Sequence, residues 1–261
     1  MGSNYVVTLA HAVSNELGKA TGGIPGDQKQ NADNTKGELL FQDWYISGNK
    51  WDFVLRGKTS TLRKLIADDA IKGVRNSNIG YSQGNPNRYT LYDTSKNFGY
   101  DCGMVEKPVE CDCSSFMTVC ANYAGIAIPR DTSTSTMKTR YSNTKAFKIL
   151  ESNKYVLSSD NLKKGDILVR AGHHTACVAN TLYHMTRELR YIEGTLMMGK
   201  DVKALQQRLN DLNVAEVPLV IDGELGRKTD AAIRAFQRME KLEIDGIMGR
   251  HTAEKLGFLW K

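Results

Sequence analysis

Three of the five cysteines, Cys111, Cys113 and Cys120, stand in the run ECDCSSFMTVC at 110–120. Such a cluster can ligate a metal, form a disulfide or supply a nucleophile. Structural zinc draws on pairs spaced C-x2–4-C, which let two ligands reach one ion from a single turn. Here C-x-C is followed by a cysteine seven residues on, and adding His173 and His174 does not repair the spacing, so no metal and no cofactor are expected. An odd count without regular spacing calls for no disulfide framework, although Cys102 and Cys111, both in the preceding loop, can pair in an oxidising setting. Nucleophilic chemistry falls to Cys113. The residues after it, SSFMTVCANYAG, set Phe116, Val119, Cys120 and Tyr123 at helical spacing, with Gly125 as a stop and Pro129 beyond. Cys113 therefore opens an amphipathic helix behind the N-cap Asp112, where unpaired N–H groups and the positive dipole end favour thiolate over thiol. Cys120 falls on the buried face as a small apolar filler.

A nucleophile of this kind needs a base. The histidine cluster lies in KKGDILVRAGHHTACVAN, which reads as a strand, a turn at Ala171-Gly172 and a second strand. On that second strand His174, Ala176 and Val178 share one face and His173, Thr175 and Cys177 the other; periodicity leaves open which face meets the helix. A third polar group, to orient the imidazole, has three candidates and no assignment. Asn180 is six residues of strand away, about 20 Å at about 3.3 Å each. His184 and Glu193 fall on a later strand or in the approach to the C-terminal region.

The elements that must hold these groups belong to a chain of 261 residues, enough for one large domain or two ordinary ones. No apolar run reaches membrane-spanning length. The start, MGSNYVVTLAHAVSNELGK, has neither a basic leader nor an apolar stretch of signal-peptide length, so no secretion signal is expected. The net charge of +6 comes from Lys and Arg scattered through mixed-sign stretches. That suits weak attraction to a polyanion, a cell-wall polymer as readily as nucleic acid, more than a dedicated nucleic-acid surface. STLRKLIADDAIKGV places Leu62, Leu65, Ile66 and Ala70 on one helical face, a packing helix. The loop TGGIPGDQKQNADNTKGE offers Asp27, Asn31, Asp33, Asn34 and Glu38 but lacks the alternating Asp spacing and central Gly of a calcium loop.

The C-terminal region repeats itself: DGELGRKT at 222–229 recurs as DGIMGRHT at 245–252. Each copy reads as an Asp-Gly turn feeding a helix, with Thr where an N-cap would stand. Ahead of them DVKALQQRLNDLN puts Val202, Leu205, Leu209 and Leu212 on one face. Three short helices with a small shared core are expected. With Asp201-Val202, Leu205-Gln206, Leu209, Asp222-Gly223, Gly226, Thr229, Ala232, Phe236-Gln237, Asp245-Gly246, Gly249, Thr252 and Leu256, this stretch resembles the three-helix peptidoglycan-binding domain of bacterial and phage wall hydrolases. The resemblance implies wall binding.

A second resemblance covers the rest. DCSSF at 112–116, KKGDILV at 163–169 and GHHTACVA at 172–179 resemble, in order and separation, the motifs of NlpC-type cysteine peptidases. GELLFQDWY, NIGYSQ and CDCSSFMTVCANYAGI are similar to phage endolysins with such a catalytic domain. The resemblance implies an α+β, papain-like fold over 1–186, a linker at 187–199 and the small all-α domain over 200–261. It implies Cys113 as nucleophile, His174 as base, and hydrolysis of a peptidoglycan amide, by an endopeptidase or an N-acetylmuramoyl-L-alanine amidase. Backbone N–H groups of Cys113 to Ser115 are the expected oxyanion donors. The insert YDCGMVEKPVEC departs from the pattern and blurs the transfer of substrate-binding tyrosines, for which Tyr92 and Tyr100 are candidates. The expected partner is bacterial peptidoglycan, with no nucleic acid, no membrane insertion and a monomeric state; the chain is expected to be made in the cytoplasm and to reach the wall by a holin-like pore. Two rival readings are a non-catalytic wall-binding protein with a vestigial Cys/His pair and an intracellular cysteine transferase.

Overall fold

The computed structural model describes residues 5–260, apart from the side chains of 5, 6, 181–184 and 259. The chain divides into two units, 6–181 and 182–261 with the first few residues. In the first, strands β1 (Tyr5–Ala12), β2 (Leu39–Asp43) and β3 (Phe53–Gly57) precede helix α1 (Ser60–Arg75). There follow β4 (Ile79–Tyr81), α2 (Thr90–Ser95), β5 (Val109–Cys111), α3 (Cys113–Tyr123), α4 (Met137–Asn143), β6 (Phe147–Leu150), α5 (Asn153–Val156), β7 (Ile167–Arg170) and β8 (His174–Met185). The main sheet runs β2-β1-β8-β7-β3-β6, and β4 and β5 form a separate parallel pair. This is a mixed α/β architecture with a helical C-terminal region.

Strand alternation sends each strand's side chains to two different cores. Ala10, Ala12, Leu55, Val169, Cys177 and Ala179 pack with Ile66 and Ala70 of α1 and with Phe116 and Met117 of α3. On the other face Val7, Leu9, Val54, Leu168, Ala176 and Val178 gather around Trp51 and Val156. Helix α1 starts where the Thr59 hydroxyl accepts the Leu62 N–H at 3.1 Å, and ends with Lys72 and Arg75 against the negative dipole end. Its Gly73 gives α3 room, since a Cβ there would lie 2.4 Å from the Phe116 ring. Helix α3 is buried on every side from Cys113 to Ala121, as a helix sandwiched between sheet and helices must be. The loop weighed for calcium uses its oxygens internally: Asp27 accepts the N–H groups of Lys29, Glu38 and Leu39, and Glu38 accepts those of Gln28 and Tyr81.

The second unit contains α6 (Lys200–Asp211), α7 (Arg227–Met239), α8 (Arg250–Lys255) and β9 (Leu259–Trp260), the last pairing with the end of β8. Val202, Leu205, Leu209, Ile233, Phe236 and Leu256 form its core together with Met185 and Leu189. Within the segment 187–199, read from sequence as a linker, Leu189 is buried in this core and bridges to Met248, while most of the other residues are exposed. The duplicated motif has one physical basis. Gln206 donates to Asp222 Oδ1 and the Glu224 carbonyl and accepts the Gly223 N–H; Gln237 does the same with Asp245, Ile247 and Gly246. Gly223 and Gly246 take positive φ, 86° and 73°, which their turns require. The expected Thr caps are corrected: Gly226 and Gly249 are the N-caps, and Thr229 and Thr252 lie inside the helices, buried beside the two glutamines.

Candidate active site

Cys113 is the first residue of α3, 5% exposed. Local chemistry dictates the position. Asp112 Oδ1 accepts the Ser115 N–H at 2.7 Å while Ser115 Oγ accepts the Asp112 N–H at 2.8 Å, a reciprocal capping box. Arg88 pairs with the other Asp112 oxygen and donates to Ser114 Oγ, so the cap is clamped from outside the helix. One expected oxyanion donor is thereby lost, because the Ser115 N–H is held by Asp112.

The sulfur lies against the backbone N–H of Thr175 on β8, one residue from His174. His173 is exposed, whereas His174 turns its ring to the face of Ala176 and Val178. It meets Trp51 there, with centroids 6.1 Å apart. His174 thus lies on the Trp51 side of the sheet, while Cys177 and Ala179 lie on the side that packs α3.

The side chain bonded to His174 is His11, at 2.8 Å from Nδ1 of His11 to Nε2 of His174, with rings in an edge contact at 5.1 Å. It reaches across from β1, the neighbour of β8 in the sheet. Of the three sequence candidates, Asn180 and Glu193 lie elsewhere. Asn180 is exposed farther along β8, Glu193 pairs with Arg227 in the other unit, and the His184 side chain lies outside the described residues. The available signal was the alternation of Val7, Leu9 and His11 on one face of VVTLAHA, with a histidine ending an otherwise apolar row.

Tyr45 stacks against His11 at 6.0 Å and Trp51 at 5.5 Å, and Trp51 Nε1 donates to the Tyr45 carbonyl at 2.8 Å. Burial first, and the nearby Cys113 group second, push the hydroxyls of Tyr45 and Tyr81 up. Tyr92 and Tyr100 instead bond to each other through their hydroxyls at 3.1 Å. The tyrosines grouped with the thiol thus come from QDWY and IGYS.

Burial dominates the electrostatics. It pushes the Cys113 thiol up to about 12, helped by the Asp112 charge and opposed by the Thr175 and Ser114 amides and by Arg88. Burial lowers His174 to about 4, and burial plus the His174 charge lower His11 to about 3. Against the expected resting thiolate, desolvation of a charge buried this deeply outweighs the helix-start dipole, which favours a neutral thiol and a neutral imidazole at rest. The other four cysteines are free and buried. Cys111 directs its sulfur to the Gly80 carbonyl, so the pairing considered for Cys102 and Cys111 does not occur; the cysteine beside Cys102 is Cys120.

Comparison with known proteins bears on this arrangement. No solved structure matches the chain. A curated relative, the N-acetylmuramoyl-L-alanine amidase CwlM of Mycobacterium tuberculosis, is 38% identical over 81 residues, 31% of this chain and 18% of that protein. This chain therefore spans under a fifth of that relative's length. Residues 198–256 match the family model described as "Putative peptidoglycan binding domain". Residues 9–182, which include His11, Cys113 and His174, match the model described as "Endolysin-like domain". With that match extending over well more than half of its length, the chain belongs to the endolysin-like domain family.

Proposed function

We propose that the protein is a peptidoglycan hydrolase of the endolysin type that cleaves an amide bond by covalent cysteine catalysis, held to its insoluble substrate by the C-terminal unit. The observation that carries the reading is the placement of Cys113 at a helix start, against the His174-Thr175 step of β8, with His174 in turn bonded to His11. Nucleophile, base and orienting group are the parts that acyl transfer requires.

Each group has a chemical role. For His174 to accept a proton on Nδ1, its Nε2 must carry the hydrogen and donate it to Nδ1 of His11, which leaves the single ring proton of neutral His11 on Nε2. The thiol proton then passes to His174 Nδ1 as Sγ attacks the amide carbon, since a neutral pair starts without a charge-separated state. The developing oxyanion meets the Cys113 and Ser114 amides at the helix start. His174 hands its proton to the leaving amine, and water, deprotonated by His174, releases the acyl group. Neutral His11 holds the imidazolium by a charge-dipole bond while adding no second positive charge.

The scissile bond is either the muramoyl-alanine amide, the bond in the name of the mycobacterial relative, or an amide within the peptide. Phage origin and holin-assisted release fit the same reading. The buried thiol also favours a second reading, a wall-binding protein with a vestigial pair. Purified walls separate the two. Clearing of a wall suspension by the intact chain but not by Cys113→Ala, with the released fragments identified by mass spectrometry, supports the hydrolase and names the bond. Sedimentation with walls, without clearing, overturns it.

A further inference from the structure

Asp69 poses a question that the proposed reaction does not answer. It lies in the middle of α1, has no exposed surface, and sits in the core between α1 and α3. A lone buried carboxyl is costly unless every oxygen is matched. Oδ1 accepts the Cys102 N–H at 2.9 Å, but Oδ2 has no hydrogen-bond partner. Two further polarisable groups converge on it: the donor atoms of Asp69, Cys102 and Cys120 all lie within 4.8 Å of one another, and all three residues are buried. The cysteine spacing gave no hint of this set, because its members come from α1, from the 102–104 turn and from the far end of α3.

We infer that Asp69, Cys102 and Cys120 form a structural binding site for a thiophilic divalent cation of the zinc class. Two sulfurs and one carboxylate oxygen are a borderline-soft donor set, suited to zinc and poorly suited to calcium or magnesium. Bonds of about 2.3 Å to sulfur and about 2.0 Å to oxygen set tetrahedral donors about 3.5–3.8 Å apart, so small side-chain rotations within the observed separation bring the three side chains to one ion, with the fourth position taken by a non-protein ligand such as water. Binding displaces the two thiol protons and any proton on Asp69 to solvent. The ion would match the orphaned oxygen and tie together α1, the 102–104 turn and α3, the helix that presents Cys113. The site stands apart from the catalytic reading and survives its failure.

The test uses the full chain carrying Cys113→Ala, which removes the one thiol outside this core that could compete for metal. About one equivalent of zinc should remain after dialysis against a weak chelator. Replacement by cobalt should give a thiolate charge-transfer band in the near ultraviolet. Cys102→Ser and Cys120→Ser should abolish the band, and Asp69→Asn should weaken affinity by more than the about 10–100-fold that changes outside the ligand shell cost. X-ray absorption on the zinc-loaded, unsubstituted chain should count two sulfur neighbours per ion, which needs no variant to fold. Absence of retained metal, a cobalt band that persists in Cys120→Ser, a zinc environment without two sulfurs, or a Cys102–Cys120 disulfide found by mass spectrometry would each overturn the site.

Discussion

His11 and His174 meet through Nδ1 and Nε2 at 2.8 Å from neighbouring strands, 163 residues apart in the chain and both shielded from solvent enough to stay neutral well below ordinary histidine values. If this contact orients the base, His11→Ala should lower kcat on soluble muropeptides by about 10²-fold or more with KM little changed. His11→Gln or His11→Asn, which retain an acceptor, should recover part of the loss. A variant with normal kcat would show that His11 is a packing residue only.

Replacing the nucleophile should remove chemistry without removing structure. Cys113→Ala should retain its circular dichroism and wall binding while losing lysis. The raised thiol and 5% exposure predict slow labelling of Cys113 by iodoacetamide at pH 7 in the absence of substrate. Rapid labelling there would mean that the site opens readily in solution.

Acid stability follows from the same burial. A histidine with a folded value near 3, against about 6.5 when unfolded, binds its proton only in the unfolded chain across that interval. Stability therefore falls as pH drops from about 6.5 toward 3, by about 1.4 kcal/mol per pH unit for each such histidine. Asp69, raised to about 7, acts oppositely, binding its proton in the folded chain between about 4 and 7. Comparing wild type with His11→Leu cancels the Asp69 contribution. The wild type should lose Tm faster between pH 6.5 and 4.5, and parallel curves would place His11 in contact with water.

In the C-terminal unit Gln206 and Gln237 perform the same task in the two copies of the repeat. Gln237→Leu leaves the Gly246 N–H and the Asp245 and Ile247 oxygens without this partner, at a cost of about 1–3 kcal/mol. Urea titration of the isolated unit should show that loss. An unchanged midpoint would mean that the turns hold without the glutamine.

Where that unit begins is itself measurable. Met185 and Leu189 belong to its core, so a fragment from 182 to 261 should unfold at a higher temperature than one from 195 to 261, although the longer piece adds only a strand end and a loop. Equal melting temperatures would restore 187–199 to the role of a linker.

Local interactions made much of the protein legible from its sequence. Asp112 and Ser115 cap a helix within four residues of chain, so the position of Cys113 at the helix start needed no tertiary information. The GDILVR-turn-HHTACVA hairpin was equally readable from alternation and from a turn at Ala171-Gly172, and the paired DG-x-x-G-x-x-T motifs announced the helical C-terminal region. Long-range pairing decided what local rules cannot. The strand order that sets β1 beside β8 brought His11 to His174, and no spacing in one dimension encodes which strands will be neighbours. Packing of α1 against α3 gathered Asp69, Cys102 and Cys120 although their intervals resemble no ligand motif. The protonation state of Cys113 was likewise a tertiary outcome: the helix start acts through a few nearby amides, whereas desolvation sums over everything packed around the sulfur, and in this fold the second effect is the larger.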